Sequence, residues 1–195
     1  PPRSTLFPYT TLFRSGRHNV CNTLAAVAVG MELNMDFSTI AESLKTFTGV
    51  QRRFEILKQS ESLIIVDDYG HHPAEIQATL STAKEVWPDR RLVIVFQPHR
   101  YSRTKYLMES FFSSFNDADQ LLLLDIYSAG EEAEEGIHSQ RIAEGVKEFG
   151  HKNVEYIGSM ESVIPHLQKI LKPGDILMTL GAGNIGELSH KLASR

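Results

Sequence analysis

Apolar residues fall into two rhythms along this chain. Leu63-Ile64-Ile65-Val66, Leu92 to Phe96 and Leu121 to Leu124 are short uninterrupted apolar runs. Runs of this length suit strands covered on both faces of a parallel sheet. Between them the spacing turns helical. Val20 to Met31 is alanine-rich, with apolar residues on most sides, and predicts a buried helix. Asp36 or Ser38 can cap a second helix that carries Ile40, Leu44 and Phe47 on one face and ends at Gly49. Phe54-Glu55-Ile56-Leu57 alternates weakly, as a strand at a sheet edge does.

A ladder follows. Strands are predicted over Leu63–Asp67, Leu92–Phe96, Leu121–Ile126, Val154–Ile157 and Asp175–Leu180. Each leads into a helix, over Pro73–Trp87, Thr104–Phe115, Ser139–Phe149, Met160–Leu171 and Gly186–Leu192. Five alternations of strand and helix predict an α/β fold: a Rossmann-like open, mostly parallel sheet with helices on both faces. In such sheets ligands bind beyond the carboxyl ends of the strands.

Composition narrows the function classes. The 195 residues are 42% hydrophobic and 23% charged, ordinary for a globular protein. Net charge is −4, too mild to point to nucleic acid or an anionic membrane as partner. No apolar run approaches the roughly 20 residues of a membrane helix. The lone cysteine, Cys21, forms no internal disulfide, which fits a reducing compartment such as the cytoplasm. Its place in an apolar helix reads as core.

Residues 1–15 stand apart. They contain Thr5-Leu6-Phe7 and again Thr11-Leu12-Phe13, with neither a signal-peptide core nor an amphipathic pattern. They read as a non-native or disordered segment, a translated adapter fused to a truncated frame.

Candidate chemistry concentrates at the strand ends. Asp67-Asp68-Tyr69-Gly70-His71-His72-Pro73 follows the first ladder strand. Gln97-Pro98-His99-Arg100-Tyr101-Ser102-Arg103 follows the second, and Tyr127-Ser128-Ala129-Gly130-Glu131 the third. Arg100 and Arg103, near a helix start, form a site for a carboxylate or phosphate. Tyr69 and His71 offer hydrogen bonds to a polar ligand, and His72 reads as a cap. Asp67, Asp68, His71 and His99 allow a metal-hydrolase alternative, although no HxH or HxxxH spacing supports it. A stand-alone small-anion module is the other alternative. Gly181-Ala182-Gly183-Asn184-Ile185-Gly186 matches the dinucleotide fingerprint, but no later strand carries a ribose-binding acid. A glycine loop admitting close approach of a small ligand is the better reading. The acidic run Glu131 to Glu135 reads as a solvated loop. No GxxxxGK[ST] phosphate loop and no GxSxG elbow occur in the chain.

These loops, in this order, resemble the Mur ligases. The matching segments are Gly16-Arg17-His18-Asn19 with Asn22, Gly49-Val50-Gln51-Arg52-Arg53-Phe54, DDYGHHP at 67–73, FQPHRYSRT at 96–104, DIYSAGE at 125–131 and GAGNIG at 181–186. DDYGHHP and FQPHRYSRT resemble the alanine-adding branch of that family in particular.

The resemblance implies that residues 16–52 are the end of a central ATP-binding domain and 53–195 a C-terminal, amino-acid-binding domain. It implies L-alanine held by Tyr69, His71, His99, Arg100 and Arg103 beside Gly181, Ala182 and Gly183, and nucleotide contacts from Asn19, Asn22 and Arg53. The parent reaction would join L-alanine to UDP-N-acetylmuramate through an acyl phosphate, using ATP and Mg2+ in the full-length enzyme. This chain would bind neither cofactor tightly and would be inactive alone, with no catalytic residue and no metal site of its own. The missing N-terminal and central domains would leave the apolar faces of the first two helices exposed.

Overall fold

The structure, a computed structural model, describes residues 17–47 and 49–194. The predicted non-native segment 1–15 lies outside the described residues. The chain divides into two units, one ending at Gln51 and one beginning at Arg52.

The described part of the first unit contains helices α1 (Arg17–Glu32) and α2 (Phe37–Thr46). They meet where Gly30 leaves room: a Cβ there would lie 2.8 Å from Ile40 Cδ1. Gly30 and Ile40 are buried, but Leu24, Val29, Met31, Leu33 and Phe37 are exposed. The expected burial of α1 is therefore corrected. A helix pair covers only the strip along its seam, and α1 is apolar on several sides. Cys21 is exposed, so its reading as core is also overturned. Phe47 falls just beyond α2 and is exposed.

The second unit holds strands β1 (Glu55–Gln59), β2 (Leu63–Asp68), β3 (Leu92–Phe96), β4 (Gln120–Leu124), β5 (Val154–Gly158) and β6 (Asp175–Leu180). Its helices are α3 (Pro73–Val86), α4 (Tyr101–Phe112), α5 (Ser139–Glu148), α6 (Met160–Ile170) and α7 (Ile185–Ala193). The sheet order is β1-β2-β6-β3-β4-β5. β1 pairs antiparallel with β2 at one edge, and the other pairings are parallel. The α/β class with a mostly parallel sheet thus stands.

Alternate residues of each strand feed two cores. Ile64, Val66, Ile94, Phe96, Leu121 and Leu123 pack with Ile76 and Leu80 of α3, Phe111 of α4 and Ile142 of α5. Val93, Val95, Leu122 and Leu177 pack with Val163 of α6 and Ile185 and Leu188 of α7. Topology explains the split. From β2 through β5 the chain steps one way across the sheet, and right-handed crossovers place α3, α4 and α5 on one face. The return from β5 to β6 places α6 on the other face, and α7 follows it there.

Helix α4 begins and ends three residues earlier than predicted. Phe115 therefore lies outside the helix, yet it is fully buried against Phe96, with ring centroids 5.2 Å apart. A buried turn beyond a helix keeps helical apolar spacing.

β5 is the outer strand beyond β4. Its Tyr156 hydroxyl donates to Asp125 Oδ1 over 2.5 Å. That bond, with burial and the carboxylate charge behind it, pushes the phenol up to about 12. A free tyrosine titrates near 10. The native state therefore holds this proton more tightly than the unfolded chain does. The associated stability is complete below about pH 10 and is lost as pH rises through about 12. An ultraviolet phenolate titration should show one tyrosine ionising late. The late step should vanish in Tyr156→Phe, and its persistence there would assign it elsewhere.

Candidate functional site

β3 and β6 are neighbours whose following helices, α4 and α7, lie on opposite faces. Loops leaving adjacent strands toward opposite faces open a crevice at the carboxyl edge. Tyr69, His71, His99, Arg100 and Arg103 lie around this edge.

The two aspartates at the end of β2 are committed to structure. Asp67 is fully buried and accepts Arg52 Nε at 2.9 Å and Thr179 Oγ1 at 2.6 Å. Asp68 accepts the backbone N–H groups of Phe54 and Gly70, both at 2.7 Å. Burial pushes the Asp68 carboxyl up, against the pull of those donors and of Arg53. Among the described residues no group of three or more His, Cys, Asp or Glu is placed to hold a metal. The hydrolase alternative loses its ligands, because both carboxylates face donors inside the protein.

Beyond the aspartates, four rings stand in a row. Tyr69 meets His71 edge to face at 5.4 Å. His71 lies 5.9 Å from His99, and His99 stacks on Tyr127 at 5.6 Å, with planes 16° apart. The row crosses the ends of β2, β3 and β4. His71 and His72 are set by α3. Glu75 accepts the backbone N–H of His71 at 3.1 Å and of His72 at 3.2 Å, and His72 Nδ1 accepts Ala74 N–H at 3.3 Å. This is a capping box with Pro73 in the first turn. His72 caps the helix as expected. Glu75 was missed, although its spacing from His72 carries the capping signal. Burial works to raise its carboxyl, but the His71 and His72 N–H groups, the His71 ring and Arg53 hold it below the usual range.

The arginines flank the ring row. Arg103 Nη1 donates to His99 Nδ1 over 3.0 Å. Arg100 has φ +71°, a left-handed conformation rare for a bulky residue, and its N–H donates to the Tyr127 carbonyl at 2.8 Å. Its guanidinium is half-exposed, with Nη1 4.0 Å from Glu131 Oε1. Burial lowers His99 first, and Arg103, His71 and Arg100 add to it against Glu131. These surroundings favour the neutral form of the His99 imidazole.

Two features differ from expectation. The start of α4 is partly filled: Glu131 accepts Ser102 N–H at 3.0 Å and Ser102 Oγ at 2.6 Å. The acidic loop thus contributes a helix cap, which sequence missed because its partner lies 29 residues away. The glycine loop, in turn, is gripped by its carbonyls. Arg52 Nη2 donates to Gly181 O at 2.5 Å and Arg52 Nη1 to Gly183 O at 3.0 Å. Glycine is required at Gly181, with φ +146°, where a Cβ would meet the Gln97 carbonyl at 2.6 Å. A Cβ on Gly183 would strike Gln97 Oε1 and the Tyr127 ring. Ala182 rides between them. The close approach expected at this loop is real, but Arg52, Gln97 and Tyr127 make it.

Arg53, unlike Arg52, is half-exposed. Its Cζ lies 5.7 Å from the Tyr69 ring centre and its Nη1 3.8 Å from Glu75. Asn22 is an exposed residue of α1, and the side chain of Asn19 lies outside the described residues.

A family model described as "Mur ligase, glutamate ligase domain" matches residues 52–183. The UDP-N-acetylmuramate–L-alanine ligase of Geotalea uraniireducens is 51% identical over 193 residues, 99% of this chain and 42% of the relative. The enzyme of the same name from Geobacter sulfurreducens is 52% identical over 170 residues, 87% of this chain and 37% of the relative. The crystal structure of the UDP-N-acetylmuramate-alanine ligase from Thermotoga maritima matches with a TM-score of 0.74 at 30% identity, covering 92% of this chain and 38% of that one. The chain thus spans about two fifths of the length of the curated relatives it matches.

Proposed function

The chain belongs to the Mur ligase family, and from that premise we propose that it is the C-terminal part of a UDP-N-acetylmuramate–L-alanine ligase acting in the cytoplasm in peptidoglycan synthesis. Residues up to about 52 end an ATP-binding domain, and residues from about 53 form the amino-acid-binding domain. The parent reaction activates the muramyl carboxylate with ATP as an acyl phosphate, which the amine of L-alanine then attacks.

The observation that carries this reading is the cluster around His99. Arg103, Arg100, His71 and Tyr127 surround one imidazole at the sheet edge, and Tyr69 extends the row. A pair of guanidinium groups holds a carboxylate by charge-assisted hydrogen bonds. With the carboxylate fixed, the amine is oriented, and positioning is the main contribution such a domain makes to rate. Arg53, half-exposed and 3.8 Å from Glu75, would turn its guanidinium to a nucleotide phosphate, and Asn19 and Asn22 would contact the base. Mg2+ in the full-length enzyme would offset phosphate charge, and among the described residues no group of three or more His, Cys, Asp or Glu is placed to hold it.

Two measurements test the proposal. Excess L-alanine should give saturable NMR shifts at the Arg100, Arg103, Tyr69 and His71 side chains, with weak affinity. Sub-micromolar binding would contradict a site completed by other domains. Incubated with ATP, UDP-N-acetylmuramate and L-alanine, the chain alone should release no phosphate above background, and clear turnover would refute its dependence on the rest of the ligase.

A further inference from the structure

An amino acid at neutral pH carries an ammonium, which has no lone pair and cannot attack an acyl phosphate. Something must take a proton first. The structure leaves few groups at this edge to do so. Asp67 and Asp68 are turned inward to Arg52, Thr179 and backbone donors. Glu75 is occupied by the His71 and His72 N–H groups, and Glu131 by Ser102.

Three histidines remain at this edge, and the bond at one ring nitrogen fixes the proton on the other. Arg103 donates to His99 Nδ1, so His99 carries its proton on Nε2 and is a donor there. Ala74 N–H donates to His72 Nδ1, which gives His72 the same tautomer. His71 is the reverse. Its Nδ1 lies 3.0 Å from the Tyr69 carbonyl oxygen, which can only accept. In the neutral ring the proton therefore sits on Nδ1, and Nε2 keeps an open lone pair. Glu75 Oε2, 3.6 Å from the same Nδ1, would stabilise the ring once it is charged. The His71 side chain is only 17% exposed, and it sits between Tyr69 and His99, beside the arginine that would hold the substrate carboxylate.

We propose that His71 is the general base of the amide-forming step, with Glu75 and the Tyr69 carbonyl as its positioning groups. This rests on the amino-acid-binding reading given above. An N–H bond of the ammonium breaks toward His71 Nε2, leaving the electron pair on nitrogen. That pair forms the C–N bond to the acyl phosphate carbon. Phosphate leaves with the C–O pair, and the second amine proton departs with it. His71, now an imidazolium between Glu75 and Tyr69, returns its proton to solvent. The other charged groups nearby are Arg53, beside Glu75, and, across His99, Arg100, Arg103 and Glu131.

Nitrogen-15 NMR of the imidazoles tests the proposal on the chain itself, with L-alanine and propionate as probes. Propionate keeps the carboxylate but lacks the amine. The expected result is His71 in the Nδ1–H form and His99 in the Nε2–H form at neutral pH. L-alanine should shift His71 Nε2, and propionate should shift the Arg100 and Arg103 signals while leaving His71 Nε2 still. A protonated Nε2 on neutral His71 overturns the proposal, as does an Nε2 that stays still while L-alanine moves Arg103. If L-alanine moves none of these side chains, the amino-acid-binding reading itself fails. In the complete ligase, His71→Gln should lower kcat by roughly 10²-fold or more with a smaller change in the KM for alanine. That loss should shrink at alkaline pH, where the substrate amine is already free. A pH-independent loss would assign His71 a structural role only.

Discussion

Arg52→Ala should destabilise the sheet unit by about 3–5 kcal/mol, the cost of breaking a buried ion pair from one side. Asp67 is fully buried, and Arg52 is its counter-charge at 2.9 Å. The same guanidinium holds the carbonyls of Gly181 and Gly183. Truncation leaves a buried carboxylate with Thr179 as its remaining side-chain donor, and two loop carbonyls without Arg52. Native domains have only about 5–15 kcal/mol in hand, so the variant should sit near the edge of folding. Denaturant unfolding should show a lower midpoint with an unchanged slope. Arg52→Lys keeps the charge but replaces a planar fork with a single point donor, so it should recover only part of the loss. Adding Asp67→Asn to Arg52→Ala should cost less than the sum of the two changes, because the stranded charge is gone. A midpoint for Arg52→Ala within error of the parent would mean that solvent reaches Asp67 and the pair is not structural.

Arg103→Ala should weaken L-alanine binding by roughly 30- to 150-fold, equivalent to about 2–3 kcal/mol for a hydrogen bond between charged groups. Calorimetric or NMR titration reads this directly. A second readout separates loss of the ligand contact from general damage. Burial is the main cause of the lowered His99 imidazole, and Arg103 is the next. Without Arg103, His99 should titrate at a higher pH, though still below its ordinary value because burial persists. Arg103→Lys should keep part of the electrostatic effect on His99 while losing planar recognition of the carboxylate. Unchanged alanine affinity in Arg103→Ala would remove this residue from the proposed site.

Much of the sheet was legible because burial on both faces leaves a plain mark. Leu92–Phe96 and Asp175–Leu180 form strands with the predicted bounds. The order of the loops also pointed to one edge, since a parallel sheet sends all its carboxyl ends the same way. Less could be read where partners lie far apart in sequence. Glu131 looks solvated until the chain folds it onto Ser102. Arg52 and Arg53 are adjacent and chemically alike, yet one is locked to Asp67 and the glycine loop while the other is half-exposed. Spacing of glycines shows where backbone comes close, but not whether an amide or a carbonyl faces the neighbour. Gly181 and Gly183 turned out to present carbonyls.

The strand order carries a consequence for synthesis. β6 occupies the centre of the sheet, pairing β2 on one side and β3 on the other, yet among the described residues it is the last strand in sequence. At ribosomal rates of about 5–20 residues per second, it emerges roughly ten seconds after β2. Until then β2 and β3 each face the nascent chain with a bare inner edge, and the two halves of the sheet have nothing to join them. This domain cannot zip up from its amino end as it leaves the ribosome. It closes in one late event, with residues 175–180 as the keystone.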